Sequence, residues 1–237
     1  MPLPLLFAVA LAAPGDTVLR NSAGSLLHWD SMPISYQADT ENSAGLDQES
    51  ALSAIVSASG AWTEVQGVGV DYRFRGTQTG LHGGYDQQNV VFFVDEWGGS
   101  ADLLALTSTW STDDGTIKDF DMAVNVDNHD WSLAGEPGLD DLQNALTHEF
   151  GHALGLGHDE LHHEATMYPT AGVGEVDKRD LSQYDVDVAA WLYPASEASE
   201  DSGAGPPSSG CDAVGLPSLG AVLPAALLLF RRRKEVP

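Results

Sequence analysis

Asp140-Asp141-Leu142-Gln143-Asn144-Ala145-Leu146-Thr147-His148-Glu149-Phe150-Gly151-His152-Ala153-Leu154-Gly155-Leu156-Gly157-His158 is the stretch on which the reading of this chain turns. Asp140 is a good N-cap, and Gln143 three residues on completes a capping box. Leu142, Ala145, Leu146, Ala153 and Leu154 supply an inward apolar stripe, so the spacing predicts a helix from Asp141 to about Leu154, ended by Gly155. His148 and His152 stand four apart on one helical face, with Cβ atoms about 5–6 Å from each other, so both rings can reach one metal. Glu149 is turned by one residue and can address a water beside the metal without ligating it. Gly155 lets the chain leave the helix with positive φ, Gly157 loosens it further, and the turn can deliver His158 as a third nitrogen. Three neutral histidines with one open position describe a catalytic zinc site, not a closed structural one.

The chain on either side of this helix has a readable order. Upstream, Trp29–Ala38 holds the strand-like Pro33-Ile34-Ser35-Tyr36. Leu46–Val65 follows, with Leu52, Ile55, Val56, Ala61 and Trp62 spaced for one helical face and Gly67 as the stop. Val70–Phe74, Asn89–Val94, Leu103–Thr112 and Phe120–Val126 read as strands, the last two separated by the turn-prone Thr112-Asp113-Asp114-Gly115. The order β-α-β-β-β-β followed by helices predicts an α+β fold, a mixed sheet with helices on one side. Trp62, Trp110 and Trp191 are expected in the core.

Composition bounds the function. The chain has 237 residues and a formal net charge of −25. Four of its ten basic residues are Arg231, Arg232, Arg233 and Lys234, so residues 13–210 carry 6 basic against 33 acidic side chains, a net of −27. Such a surface repels phosphate backbones and excludes nucleic acid as a partner. The single cysteine, Cys211, rules out an intramolecular disulfide framework. The ends read as addresses. Residues 1–13, with the apolar run 3–13 closing on Ala10, Ala12 and Ala13, have the pattern of a secretory signal. Residues 195–210 are small, polar and rich in Pro and Gly, as a linker is. Residues 211–237 join Cys211 to the apolar stretch Ala213–Phe230 and the basic cluster. The body is then 14–194, exported and monomeric, with membrane contact only through its tail.

Nine residues beyond His158 lies Met167, within Ala165-Thr166-Met167-Tyr168-Pro169. The His-x-x-x-His-x-x-Gly-x-x-His register with its interior Glu149, followed by this small-x-Met-x-Pro turn, resembles the metzincin metalloproteases and, among them, the matrixins. The likeness runs over about residues 28–193 and is strongest in 140–169. It implies a twisted mixed sheet of about five strands, an active-site helix and a closing helix in Leu181–Tyr193. It implies Zn2+ on His148, His152 and His158, Glu149 as general base, Met167 as an apolar floor, and protein or peptide substrates. Leu103–Thr112 would then be the edge strand that pairs with substrate, and residues 168–175 one wall of the pocket beside the metal. Tyr168 could bond an oxyanion or belong to that wall. Pro169 is followed by Thr170 and Ala171, where animal matrixins commonly continue Pro-x-Tyr, so the pocket differs. No cysteine-switch propeptide is present, because the only thiol lies downstream.

The tail in turn resembles the bacterial MYXO-CTERM sorting signals, which combine a Gly-Cys element, a short apolar helix and terminal arginines and are processed at the cysteine. A plain single-span anchor is the alternative. Other candidates are weaker. His162 and His163, with Glu160 and Glu164, can hold a second metal or be a solvated loop. Asp113, Asp114, Asp119, Asp121, Asp127 and Asp130 can offer oxygens to Ca2+ or be solvated turn carboxylates. His28, His82 and His129 are isolated. Two functions fit: a zinc endopeptidase, or a surface adhesion module that keeps the zinc-stabilised fold without turnover. The interior Glu149 favours the first, since a scaffold needs the histidines but not that carboxylate.

Overall fold

The structure, a computed structural model, describes residues 17–195 and 223–233. The proposed leader, Cys211 and nearly all of the 195–210 linker lie outside them. In chain order the elements are β1 (Ile34–Ala38), α1 (Gln48–Thr63), β2 (Tyr72–Thr77), β3 (Val90–Val94), β4 (Leu103–Ser111), β5 (Ile117–Asn125), the two-residue β6 (Trp131–Ser132) and β7 (Asp140–Asp141), α2 (Leu142–Ala153), β8 (Thr170–Ala171), α3 (Gln183–Leu192) and β9 (Leu223–Arg232). A 3-10 turn, Asp177–Arg179, precedes α3.

The main sheet runs β2-β1-β3-β5-β4-β9-β8, and β6 pairs with β7 apart from it. Strands β1 and β2 are parallel, joined by α1 as a crossover, the connection that parallel neighbours require. Strand β3 is parallel to both β1 and β5, while β4 and β5 form an antiparallel pair. The fold is therefore α+β with a mixed sheet, and its first five strands in space are those the sequence predicts. Two strands are additional. The short β8 comes from the segment after Met167, and β9 is drawn from the C-terminal tail, where the sequence suggested a span-like helix. Strand β9 lies antiparallel to β4 and parallel to β8. No helix among the described residues is long and apolar enough to cross a membrane.

One face of the sheet carries Ile34, Tyr36 and Ala38 from β1 and Phe120, Met122 and Val124 from β5, alternating as a pleated strand requires. Helices α1 and α2 close over it. Ala51, Ile55, Ala58 and Trp62 of α1 are fully buried, and Trp62 Nε1 donates to the Thr147 carbonyl of α2 at 2.8 Å. Phe150 of α2 stacks edge-on against Tyr36 and Tyr72, at 5.2 and 4.9 Å between centroids. Of the tryptophans expected inside, Trp62 is buried, Trp110 is half-buried and Trp191 is 47% exposed. In α3 the inward positions go to Asp185 and Ala189, and the indole is left on the solvent side.

Helix caps decide where the site begins. Helix α2 is capped by Asp141, whose carboxylate accepts from the Asn144 amide at 2.9 Å, one residue later than the sequence reading placed it. Asp140 sits in β7 and accepts from His129 Nδ1 at 2.9 Å. The cap is fixed by Arg179, whose Nε and Nη2 reach Asp141 at 2.8 and 2.5 Å, a bidentate grip on a carboxylate that is 3% exposed.

Candidate metal centre

Helix α2 puts His148 and His152 on one face, with ring centroids 4.5 Å apart. The helix stops at Leu154, and Gly155 takes φ +92°. A Cβ there would lie 2.5 Å from the Leu27 carbonyl oxygen, so both the turn and the neighbouring chain demand glycine. The turn returns His158 to 5.2 Å from the His148 ring and 4.9 Å from the His152 ring. Ligand atoms of all three histidines lie within 4.8 Å of one another, and among the described residues no other His, Cys, Asp or Glu group could hold a metal in this way.

Hydrogen bonds set the tautomers of the helical pair. His148 Nδ1 bonds to the Thr166 carbonyl at 2.6 Å, and His152 Nδ1 to the Leu156 carbonyl at 2.8 Å. A carbonyl accepts, so each Nδ1 carries the proton and each Nε2 presents a lone pair. The Nε2 atoms of His148, His152 and His158 are all buried without a hydrogen-bond partner. Such orphaned acceptors are costly unless something fills the space between them. Burial holds the His148 ring far below the usual histidine range, His152 down to about 3 and His158 to about 4. Neutral imidazoles at pH 7 are the form a metal needs.

Glu149 is fully buried beside them. Its Oε2 accepts from the Thr107 hydroxyl of β4 at 2.5 Å, and its Oε1 has no partner. Burial pushes this carboxyl up to about 8, against the pull of that hydroxyl. Met167 packs beneath α2 at Gly151, where an added Cβ would stand 2.3 Å from its sulfur. The turn that carries it hangs on Asp185 of α3. That carboxylate accepts from the amides of Thr166 at 2.8 Å, Met167 at 3.0 Å and Ser182 at 2.9 Å, and from the Ser182 hydroxyl at 2.7 Å. The sequence reading missed Asp185. Ser182-x-x-Asp185 at the head of a helix was the available signal, but nothing in it tells that the cap also grips a turn 18 residues upstream.

The family model for matrixins matches residues 28–194, most of the chain. The chain belongs to the matrixin family. Matrixins are zinc metalloendopeptidases, and the histidine cluster of this one is of the kind that could bind the metal. Over 56 residues, 24% of its length, this matrixin is 45% identical to Metalloendoproteinase 2-MMP of Arabidopsis thaliana. Over 63 residues, 27% of its length, it is 41% identical to Matrilysin of Homo sapiens. These stretches span 14% and 23% of the two relatives, less than a quarter of either.

The remaining sequence candidates separate in this matrixin fold. His162 bonds Asp159 Oδ2 at 2.7 Å and stacks on Tyr184 at 3.6 Å, while Glu160 and Glu164 are exposed, so that loop gathers no second cluster. Tyr168 lies among His163, Lys178 and Arg233. Asp113, Asp114, Asp127 and Asp130 are exposed. Asp119 and Asp121 differ: they lie on the sheet face away from the helices, 0% and 3% exposed, and the loop before β3 drapes over them. The Gly84 amide bonds Asp121 at 2.6 Å, and the Asp86 and Gln87 amides bond Asp119 at 2.9 and 2.8 Å. The other oxygen of each is buried and unpartnered. Of the six carboxylates offered for calcium, this pair alone is buried.

One neighbour of the histidines was not anticipated. Phe230 of β9, itself 0% exposed, stacks on the His148 ring at 4.0 Å.

Proposed function

We propose that this matrixin is a zinc endopeptidase that hydrolyses peptide bonds of extracellular proteins, with His148, His152 and His158 as ligands and Glu149 as general base. The observation that carries the reading is the convergence of three buried, unpartnered Nε2 atoms beside the one free oxygen of a buried carboxylate. Bound there, zinc supplies a Lewis acid that polarises a carbonyl and acidifies water to a pKa of about 7. The Thr107 hydroxyl and the Thr166 and Leu156 carbonyls orient Glu149, His148 and His152, so these groups need not reorganise as the reaction proceeds. Glu149 Oε1 takes the proton of the attacking water and returns it to the leaving amine. The sequence expects β4 as an edge strand, but here β9 occupies the side of β4 that faces β8; a peptide would pair along β4 only in place of β9, with residues 168–175 and β8 as the opposing wall.

The same proposal covers the ends and the second ion. Residues 1–13 direct export, 14–194 fold as the catalytic unit, 195–210 link it to a MYXO-CTERM-type signal in 211–237, and the product is a monomer at the bacterial surface. Asp119 and Asp121 hold Ca2+, as is usual in this family. Intact mass of the exported protein reports on both ends: retention of residues 212–237 would sink processing at Cys211.

The catalytic reading is tested on the full chain by measuring zinc per molecule and cleavage of an unfolded protein for the wild type and Glu149→Gln. We expect one zinc in each and a 10²–10⁴-fold slower rate in the variant, the range a general base supplies. Zinc in both with cleavage in neither would defeat the protease reading and leave an adhesion module.

A further inference from the structure

The C-terminal strand lies where a peptide substrate would lie. Strand β9 is the antiparallel partner of β4 from Leu103↔Arg231 to Ser111↔Leu223 and the parallel partner of β8 through Thr170↔Arg231 and Ala171↔Arg232. Past the histidines its backbone is tied to both walls in turn: the Arg231 amide to the Pro169 carbonyl at 3.3 Å, Arg232 to Asp102 at 2.9 Å, and Arg233 to Ala171 at 2.6 Å. Phe230 fills the space against His148. The arginines that follow meet acids. Arg232 Nε is 3.6 Å from Asp140 Oδ1, an oxygen with no other partner, and Arg233 Nη2 is 3.9 Å from Glu175 Oε2.

We propose that the channel between β4 and β8 is a site for an extended apolar segment closing on an aromatic residue and two or three basic ones, and that its first occupant is this chain's own C-terminal strand, which competes there with peptide substrates. The proposal rests on the protease reading of the site and deepens it by naming the class of peptide preferred. Backbone pairing is indifferent to sequence, so Phe230 and the arginines supply the selection. The exposed ends of Arg232 and Arg233 make each ion pair weak by itself. They work as a sign preference in a body of charge −24 (30 acidic against 6 basic side chains in 14–194), in which Asp140 and Glu175 stand at the exit of the channel. About 28 residues tether β9 to the end of the body. A tether of that order gives an effective concentration on the order of 1 mM. A strand that binds in trans at about 10 μM would then suppress a competing substrate roughly 100-fold.

The test is hydrogen exchange on the full chain in the Glu149→Gln background, so that neither turnover nor self-cutting intervenes and a failure here leaves the comparison of Glu149→Gln with wild type intact. Phe230→Asp should speed exchange of the β4 amides at least tenfold and leave those of α1 and β1 unchanged, which shows that the body remains folded. A synthetic peptide of residues 223–234 added to Phe230→Asp should restore the protection, and the same peptide with its three arginines changed to glutamate should not. In the active background Phe230→Asp should cleave a quenched peptide ten- to a hundredfold faster than wild type. Equal exchange of β4 in the presence and absence of Phe230, or equal protection by both peptides, would overturn the proposal.

Discussion

Replacing Gly151 by alanine sets two magnitudes of opposite sign against each other. Alanine is the better helix former by about 0.8–1.0 kcal/mol, and Gly151 sits inside α2, so propensity alone predicts a more stable protein. The structure predicts the reverse. A Cβ at Gly151 would stand 2.3 Å from Met167 Sδ, 2.8 Å from Trp62 Cζ2 and 3.2 Å from Met167 Cε, where carbon contacts normally settle at about 3.5–4.0 Å. Trp62 does not move cheaply, and the Met167 side chain, 3% exposed, has little room to swing aside. Trp62 is fully buried and tied to the Thr147 carbonyl, and the Met167 backbone is held by Asp185. Overpacking of this kind costs about 1–3 kcal/mol or more, and the overlap here belongs at the upper end. The net is a loss of about 2 kcal/mol, which for a body of this size lowers Tm by about 4–8 °C. Gly60 in α1 is the matched control, because a Cβ there meets only Glu64 Oε1 at 3.8 Å. Gly60→Ala should raise Tm by about 1–4 °C through propensity alone. The assay is calorimetry of the metal-loaded proteins, with zinc content measured alongside and expected to fall in Gly151→Ala only. A Gly151→Ala protein that melts at or above wild type would refute the argument that Met167 and Trp62 are fixed against this helix.

Asp185→Ala removes the acceptor of the Thr166, Met167 and Ser182 amides at once, and two of these lie in the buried Met167 turn. We expect a loss of about 2–4 kcal/mol in denaturant unfolding, with Asp185→Asn recovering part of it. Burial pushes Asp121 up to about 7, with the Gly84 amide opposing. The folded chain therefore holds a proton there that the unfolded chain releases near 3.9, and this contribution falls as pH rises from about 4 to 7. In calcium-free buffer Asp121→Asn should be more stable than wild type at pH 8, by about 2–4 kcal/mol, and equal to it near pH 4. Calcium should stabilise wild type and leave the variant unmoved; an offset independent of pH would contradict the assignment.

The sequence carried the centre of this molecule further than its margins. Histidines four apart on a helix and a third beyond two glycines form a local pattern whose geometry needs only 3.6 residues per turn and one positive φ, and both were readable. The cap shifted by one residue because Asp140 and Asp141 are equally good caps in isolation. Arg179, distant in sequence, selects between them. Asp185 was invisible for the same reason, since its acceptors are filled from an element 18 residues away. Asp119 and Asp121 looked like any turn carboxylates until the loop before β3 was seen to bury them. In the sequence the tail is an apolar stretch suited to lipid, yet Leu223–Arg232 satisfies its backbone on β4. An apolar run between turn-prone segments serves a membrane or a sheet equally, and only the neighbouring strand distinguishes them.

The two sides of the sheet are protected by different means. At one margin β2 presents Arg73, a largely exposed charge that discourages pairing with another chain. Towards the other, beneath β9 and β8, β4 reads Leu-Leu-Ala-Leu-Thr-Ser-Thr-Trp-Ser, without a proline, a lysine or any charge among its nine residues. Strand β9 is its shield. A molecule that lost its last 27 residues would show nine residues of uncharged strand to every other copy, an invitation to self-association that only a bound peptide could decline. Processing at Cys211 would remove that shield, so the surface form stays a monomer only while a bound peptide occupies β4, and its colloidal behaviour becomes an observable of channel occupancy.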